Sequence, residues 1–275
     1  MQSSLNIIPR LMQVTNQLII PLGEINLTTK IDDNGDVELE KYSENPEEFK
    51  VMNCDITKAQ NFEHQITCTA LAFVLNKPGL KLVLKPVANE EDVDKVIVLE
   101  LSHQVVNYLP INMGQLFGNL TRLYASCCHL VELQRVNFTG LRNLEFMSLW
   151  MNKLEEVPEN VFDDLVNLKN LSLQANKIQR LPEHLFQKLT KLQNINLSHN
   201  RLRFIPAYLF TFNINLVHIS LNDNYITYVS PRLLLTLKKL KTCTFLRNPA
   251  INEEAIRLRD LVKLKAYIKM KFRDL

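Results

Sequence analysis

His103 and Cys127 stand 24 residues apart and are the nearest this sequence comes to a nucleophile and its base. An imidazole can activate a thiol, but the pair needs a third group to orient it. No orienting carboxylate and no oxyanion arrangement accompany these two residues. The six glycines are scattered and form no phosphate-cradling loop, and the six histidines are dispersed. Neither an H-E-x-x-H nor a C-x-x-C metal pattern occurs. The chain is therefore read as a non-enzyme with no catalytic residue, no metal and no cofactor, and the His103/Cys127 adjacency as chance.

Recognition chemistry is better represented. Placed at the same 24-residue interval, Glu100, Arg122, Tyr124, Phe146, Trp150 and Met151 fall on one surface. Aromatic, Met and Arg side chains are the composition of interface hot spots, so these six are the candidate ligand-binding residues. The other reading is that they lean on one another and leave no site. Further along, the equivalent positions are paved with Asn, Ser and Gln. N-x-S/T glycosylation sequons stand at Asn26, Asn119, Asn137, Asn170 and Asn196. Glycans on Asn170 and Asn196 would shield that polar half and push binding towards the earlier repeats. Asp223 and Arg247 could pair, although an exposed ion pair contributes only about 0–1 kcal/mol.

The element that must position these residues is a repeat. Asn152, Asn176, Asn200, Asn224 and Asn248 are spaced 24 apart, with Gln104 and Cys128 at the two preceding steps. Each follows an apolar-x-apolar segment such as Leu171-Ser172-Leu173, and a Phe column runs through Phe138, Phe162, Phe186 and Phe210. Alternation of period two requires a strand with its apolar side chains inward and the middle residue outward. A single short strand cannot bury its face, so seven copies from Val96 to Asn248 must stack into a solenoid. The Asn amides would satisfy turn backbone. Gln104 and Cys128 suggest a looser ladder in the first two coils.

This pattern, with Leu-Pro-x-x-Leu-Phe at Leu181–Phe186, resembles leucine-rich repeats of the 24-residue class. It is similar to the repeats of Toll-like receptor ectodomains, small leucine-rich proteoglycans and secreted insect proteins. The resemblance implies an α/β solenoid, a horseshoe with a parallel sheet on its concave face, that acts as a curved binding scaffold. It also implies a disulfide-clamped N-terminal cap, whose placement Cys54 and Cys68 match; such a bridge would contribute on the order of 3 kcal/mol. Two unrelated thiols are the alternative. With five cysteines at least one stays free. Ala250 stands where disulfide-capped relatives carry a cysteine after Asn-Pro, so a helix over Glu253–Phe272 is expected to close the last coil through Leu258, Leu261, Val262, Ile268 and Phe272. The resulting organisation is an N-terminal extension over 1–50, partly flexible or forming a small hairpin around Asp33–Asp36, a β cap over 51–95, repeats over 96–249 and a capping helix over 250–275.

A net charge of +3 with 46% apolar and 22% charged residues is that of an ordinary globular surface and gives no argument for nucleic acid. No apolar run approaches the roughly 20 residues of a membrane span. The acidic stretch Asp32–Glu48 and the basic stretch Lys263–Arg273 lie at opposite ends. The apolar stretch Leu18–Leu22 is short and holds Pro21, so no signal peptide is evident at the recorded start. The resemblance and the sequons favour an extracellular protein that binds a protein partner, with or without attached glycan. A cytoplasmic adaptor docking to a larger assembly and a fragment of a receptor ectodomain remain as alternatives.

Overall fold

Each apolar-x-apolar segment forms a three-residue strand in the computed structural model, which describes residues 28–31, 37–41, 49–58, 66–70, 74–86, 95–255 and 258–272. Val98–Glu100, Arg122–Tyr124, Phe146–Ser148, Asn170–Ser172, Asn194–Asn196, His218–Ser220 and Thr242–Thr244 pair in parallel, each with the next. The register advances by one repeat per strand, so Val98 lies beside Arg122 and Phe146 beside Asn170. The result is a solenoid of six turns whose concave face is a parallel sheet. Inward residues such as Leu99, Leu101, Leu123, Leu149 and Leu173 are fully buried. The return segments carry turns, short helical pieces at Met113–Leu116 and Arg135–Phe138, and two-residue strands such as Phe204–Ile205 beside Tyr228–Val229. Phe138, Phe162, Phe186 and Phe210 fill the rear of the core, with ring centroids 5.6, 6.3 and 5.9 Å apart in sequence.

The asparagines lock the turns together. Asn200 Nδ2 donates to the carbonyls of Leu197 in its own coil and Leu173 in the previous one, at 3.0 and 2.9 Å. Its Oδ1 accepts from the Ile178 amide at 3.1 Å. Asn176, Asn224 and Asn248 repeat this set. One side chain thus answers three backbone groups that stacking removes from water. Cys128 keeps half of the role: its thiol donates to the Leu101 carbonyl at 3.0 Å. The missing acceptor is replaced by backbone, since the Val106 amide donates to the Cys128 carbonyl at 2.9 Å.

The open ends are closed by strands as well as side chains. Ile66–Ala70 continues the sheet parallel to Val98–Glu100 and pairs antiparallel with Phe49–Lys58. Lys81–Pro86 then lies parallel to Phe49–Lys58 at the sheet's outer edge. Phe49–Lys58 thus runs across the boundary expected at residue 50. Cys54 and Cys68 are bridged across the antiparallel pair, with Cα atoms 5.5 Å apart, inside the range a disulfide spans. Asn112, unremarked in the sequence, fastens this cap to the first coil: it accepts from the Leu82 amide at 2.7 Å and donates to the Leu82 carbonyl at 3.0 Å. Thr28–Ile31 and Val37–Lys41 pair as the antiparallel hairpin expected there, while its turn at 33–36 lies outside the described residues.

The C-terminal helix is shorter than expected, Leu258–Lys271 rather than Glu253–Phe272. Glu254–Ala255 is instead a short strand antiparallel to Thr242–Thr244, because the last repeat strand has a free edge that backbone must satisfy. Leu261, Leu264, Ile268 and Phe272 pack onto the core, whereas Val262 is 66% exposed and drops out of the capping face. Leu264 takes its place: at one turn from both Leu261 and Ile268, it lies on the inward stripe.

Asn213 tests what a buried amide contributes without a full set of partners. It interrupts a column of core leucines, Leu141, Leu165, Leu189 and Leu237, and is 0% exposed. Its Nδ2 donates to the Phe186 and Leu189 carbonyls, but its Oδ1 is buried without a partner. Asn213→Leu is expected to raise unfolding free energy by about 1 kcal/mol, and Asn200→Ala to lower it by about 2–3 kcal/mol. Urea unfolding of both variants checks this, and changes of the same sign would contradict the distinction.

Candidate functional site

The turn that follows each strand shapes the rim of the concave face. His103, Cys127, Met151, Ala175, His199, Asp223 and Arg247, each directly before its Asn-column residue, all have φ between 54° and 63°. Left-handed backbone normally favours glycine or asparagine. Here the stack imposes it: the Met151, Ala175 and His199 amides donate to the carbonyls of Gln174, Ser198 and Asn222 in the next coil. The sequence carries no signal for this conformation, because no glycine or asparagine occupies the column.

The six candidate binding residues divide once they are placed. Tyr124 and Phe146 are half-buried neighbours on adjacent strands, with ring centroids 4.9 Å apart. Trp150 and Met151 remain accessible, at 39% and 56% exposure, and Arg122 is exposed at the strand position paired with Phe146. Glu100 is partly committed to its own turn, where Oε1 accepts from the Ser102 amide at 2.8 Å. Mutual packing therefore accounts for the two rings and leaves the indole, the thioether and the guanidinium open.

From Phe146 onward the concave face forms a trough edged by polar side chains, among them Asn170, Asn196, His218, Asn222 and Thr244, over Leu171, Ile195 and Ile219. Its side chains bond from coil to coil. Asn194 Nδ2 donates to Asn170 Oδ1, Asn196 Nδ2 to Gln174 Oε1 at 2.7 Å, and the Ser198 and Ser220 hydroxyls lie 2.6 Å apart. His218 Nδ1 and the Thr242 hydroxyl are also 2.6 Å apart. Asn170 and Asn196 are half-buried within this network, and Asn119 is exposed. Asn137 is a correction: it is 3% exposed, with Oδ1 accepting from the Gln134 amide and Nδ2 donating to the Leu109 carbonyl at 2.8 Å. The folded protein has no room for a glycan on that nitrogen. Asn26 lies outside the described residues.

Among the described residues His103 and Cys127 share no hydrogen bond. Burial pushes the Cys128 thiol up to about 12, so it stays protonated as a structural donor. No cluster of His, Cys, Asp and Glu is arranged for a metal ion, and no helix is long and apolar enough to cross a membrane, again among the described residues. On the rim, Asp223 lies between Arg247 and His199. Its carboxylate accepts from Arg247 Nε and Nη2 and stands 3.4 Å from His199 Nε2. The hydrogen bond from Arg247 holds the Asp223 carboxyl below the usual carboxylate range.

Overlapping segments 118–178, 143–202, 166–212 and 190–242 match the leucine-rich repeat family model. No curated protein matches the chain. Among solved structures, a leucine-rich-repeat protein of Leptospira interrogans is similar at 24% identity and a TM-score of 0.53, over 70% of this chain and 48% of that one. The Toll–Spatzle complex of Drosophila matches at 19% identity and a TM-score of 0.40, over 64% of this chain and 30% of that one. This chain therefore spans about half the length of the first and under a third of the second. Leucine-rich repeats form scaffolds suited to binding proteins.

Asp223 gives the rim a measurable pH dependence. Its lowered pKa means that the pair's contribution is fully present above the ordinary carboxylate pKa of about 4 and is lost as pH falls through the folded-state value. Asp223→Asn should therefore be less stable than the wild type at neutral pH, by no more than about 1 kcal/mol for an exposed pair. The difference should close below about pH 4. A gap between the two thermal melts that persists in acid would show that the carboxylate charge is not its source.

Proposed function

We propose that this chain, whose residues 118–242 match the leucine-rich repeat family model, is a non-enzymatic recognition scaffold that binds a protein partner through the N-terminal half of its concave face. The contact residues are Arg122, Tyr124, Phe146, Trp150 and Met151, with Glu100 at the margin. The observation that carries this reading is the accessible Trp150–Met151 pair beside the packed Tyr124 and Phe146 rings. Rigid, pre-packed aromatics lose little conformational entropy on binding, and hot spots are enriched in Trp, Tyr and Arg. The polar trough beyond them has its amides and hydroxyls already bonded to one another, which leaves fewer groups for a partner.

The proposed setting is extracellular. The buried Cys54–Cys68 bridge supports it, since structural disulfides persist in oxidising compartments. Asn119, Asn170 and Asn196 are its proposed glycan acceptors. A cytoplasmic adaptor is the second reading, favoured by Cys127, a free and half-exposed thiol on the rim.

Trp150 is the only tryptophan of the chain, so its fluorescence reports on the patch directly. Partner binding is expected to shift that emission. Trp150→Ala should weaken binding by at least about tenfold while changing unfolding free energy by less than about 1 kcal/mol. Unchanged affinity in Trp150→Ala would remove the patch from the interface.

A further inference from the structure

In a stacked solenoid the nearest neighbours of a side chain are the residues one repeat before and after it. Several cations on this solenoid are accordingly paired with acids 24 residues earlier: Lys169 with Glu145 at 2.7 Å, Arg180 with Glu156 at 3.4 Å and Arg247 with Asp223. Arg201 and Arg203 have no acid at that position. The column neighbours of Arg201 are Lys177 and Tyr225, and those of Arg203 are Gln179 and Thr227. Both guanidinium groups are exposed, and no carboxylate of the described residues lies within ion-pair range of either.

These two arginines sit on the flank where the chain leaves the sheet, in a groove they share with Gln179, Tyr225, Thr227 and Pro249. Their backbone is held in place. The Arg201 amide donates to the Ile178 carbonyl at 2.8 Å, and the Arg203 carbonyl accepts from both the Thr227 amide and its hydroxyl, at 2.8 and 3.1 Å. Tyr225 is 59% exposed and supplies an aromatic face between the arginines and Pro249.

We propose that this groove is a second binding site, distinct from the concave patch, for a short acidic peptide segment of a protein partner. Paired, uncompensated guanidinium groups match carboxylates in bidentate geometry, while Tyr225 and Pro249 give the peptide's apolar atoms a surface. A long polyanion fits less well. Continuing along the solenoid past Lys177, it would meet the exposed carboxylates of Glu155 and Glu156, the former already 3.8 Å from Lys177. Lys177 is already paired with Glu155, so the uncompensated charge in this groove is that of Arg201 and Arg203, which suits a few acidic residues.

The probe is a fluorescein-labelled hexaglutamate peptide, followed by fluorescence anisotropy on the full chain at about 0.15 M ionic strength, where the screening length is about 8 Å. Saturable binding is expected, and the double variant Arg201→Glu/Arg203→Glu should weaken it by at least about tenfold. Arg142→Glu/Lys188→Glu makes the same charge change at exposed positions elsewhere and should cost less than about threefold, because net charge alone acts weakly at a distance. Trp150→Ala should leave peptide binding unchanged, which separates this site from the concave patch. Thermal melts of all variants should match the wild type, as none of these exposed side chains closes the core. The proposal is overturned by absence of saturable binding or by equal losses in the two double variants. It is also overturned if a sulfated hexasaccharide binds through Arg201 and Arg203 more tightly than the peptide, since the ligand class would then be a polyanionic glycan.

Discussion

The amide of the repeated asparagine is the constraint on which the solenoid rests. Stacking buries strand-exit backbone that no helix or sheet partner satisfies, and a buried unpaired amide or carbonyl costs about as much as a lost hydrogen bond. A side chain with one acceptor and a two-hydrogen donor, placed once per turn, meets groups in its own coil and the preceding one. Asn176, Asn200, Asn224 and Asn248 do so with closely similar distances. The 24-residue period follows: a residue gained or lost between two asparagines would take the amide away from its carbonyl. Asn213 shows the opposite case, a buried amide outside the ladder with one atom left unpaired.

Register sets the surface as firmly as the core. Because each residue lies beside its counterparts one repeat away, side-chain chemistry is organised in columns. Along one column asparagine bonds to asparagine; along another, aspartate holds arginine; along a third, phenylalanine stacks on phenylalanine. The same rule creates exceptions with functional potential. Where a column changes from polar to aromatic, as at Trp150, or runs from lysine to arginine to tyrosine, as at Arg201, the stack leaves the side chain available.

The repeats were legible in the sequence because their period is long and uninterrupted. The apolar pattern, the Asn and Phe columns, the identity of the outward residues and the parallel register all follow from counting. The ends were less legible, since a cap occurs once and cannot be recognised by repetition. Phe49–Lys58 and Lys81–Pro86 pair in parallel although they are neither adjacent in sequence nor of one period. Asn112 bonds to Leu82 across 30 residues of sequence, and Glu254–Ala255 forms a strand where charge pattern suggested the start of a helix. Each depends on which backbone edge is left open after the coils have stacked.

For the candidate sites the division is similar. Sequence alone determined which side chains face outward, since alternation along a strand assigns them, and it thereby named Arg122, Tyr124, Phe146, Trp150 and Met151. Tertiary structure decided which of them are spent within the molecule: Tyr124 on Phe146, Glu100 on its own turn, and Asn137 on the Leu109 carbonyl beneath the surface. It also decided the left-handed exit turn and the uncompensated Arg201–Arg203 flank. Facing is a local property, fixed by strand geometry within a few residues. Whether a polar or aromatic group is already satisfied depends on distances across coils, and those exist only once the chain has folded.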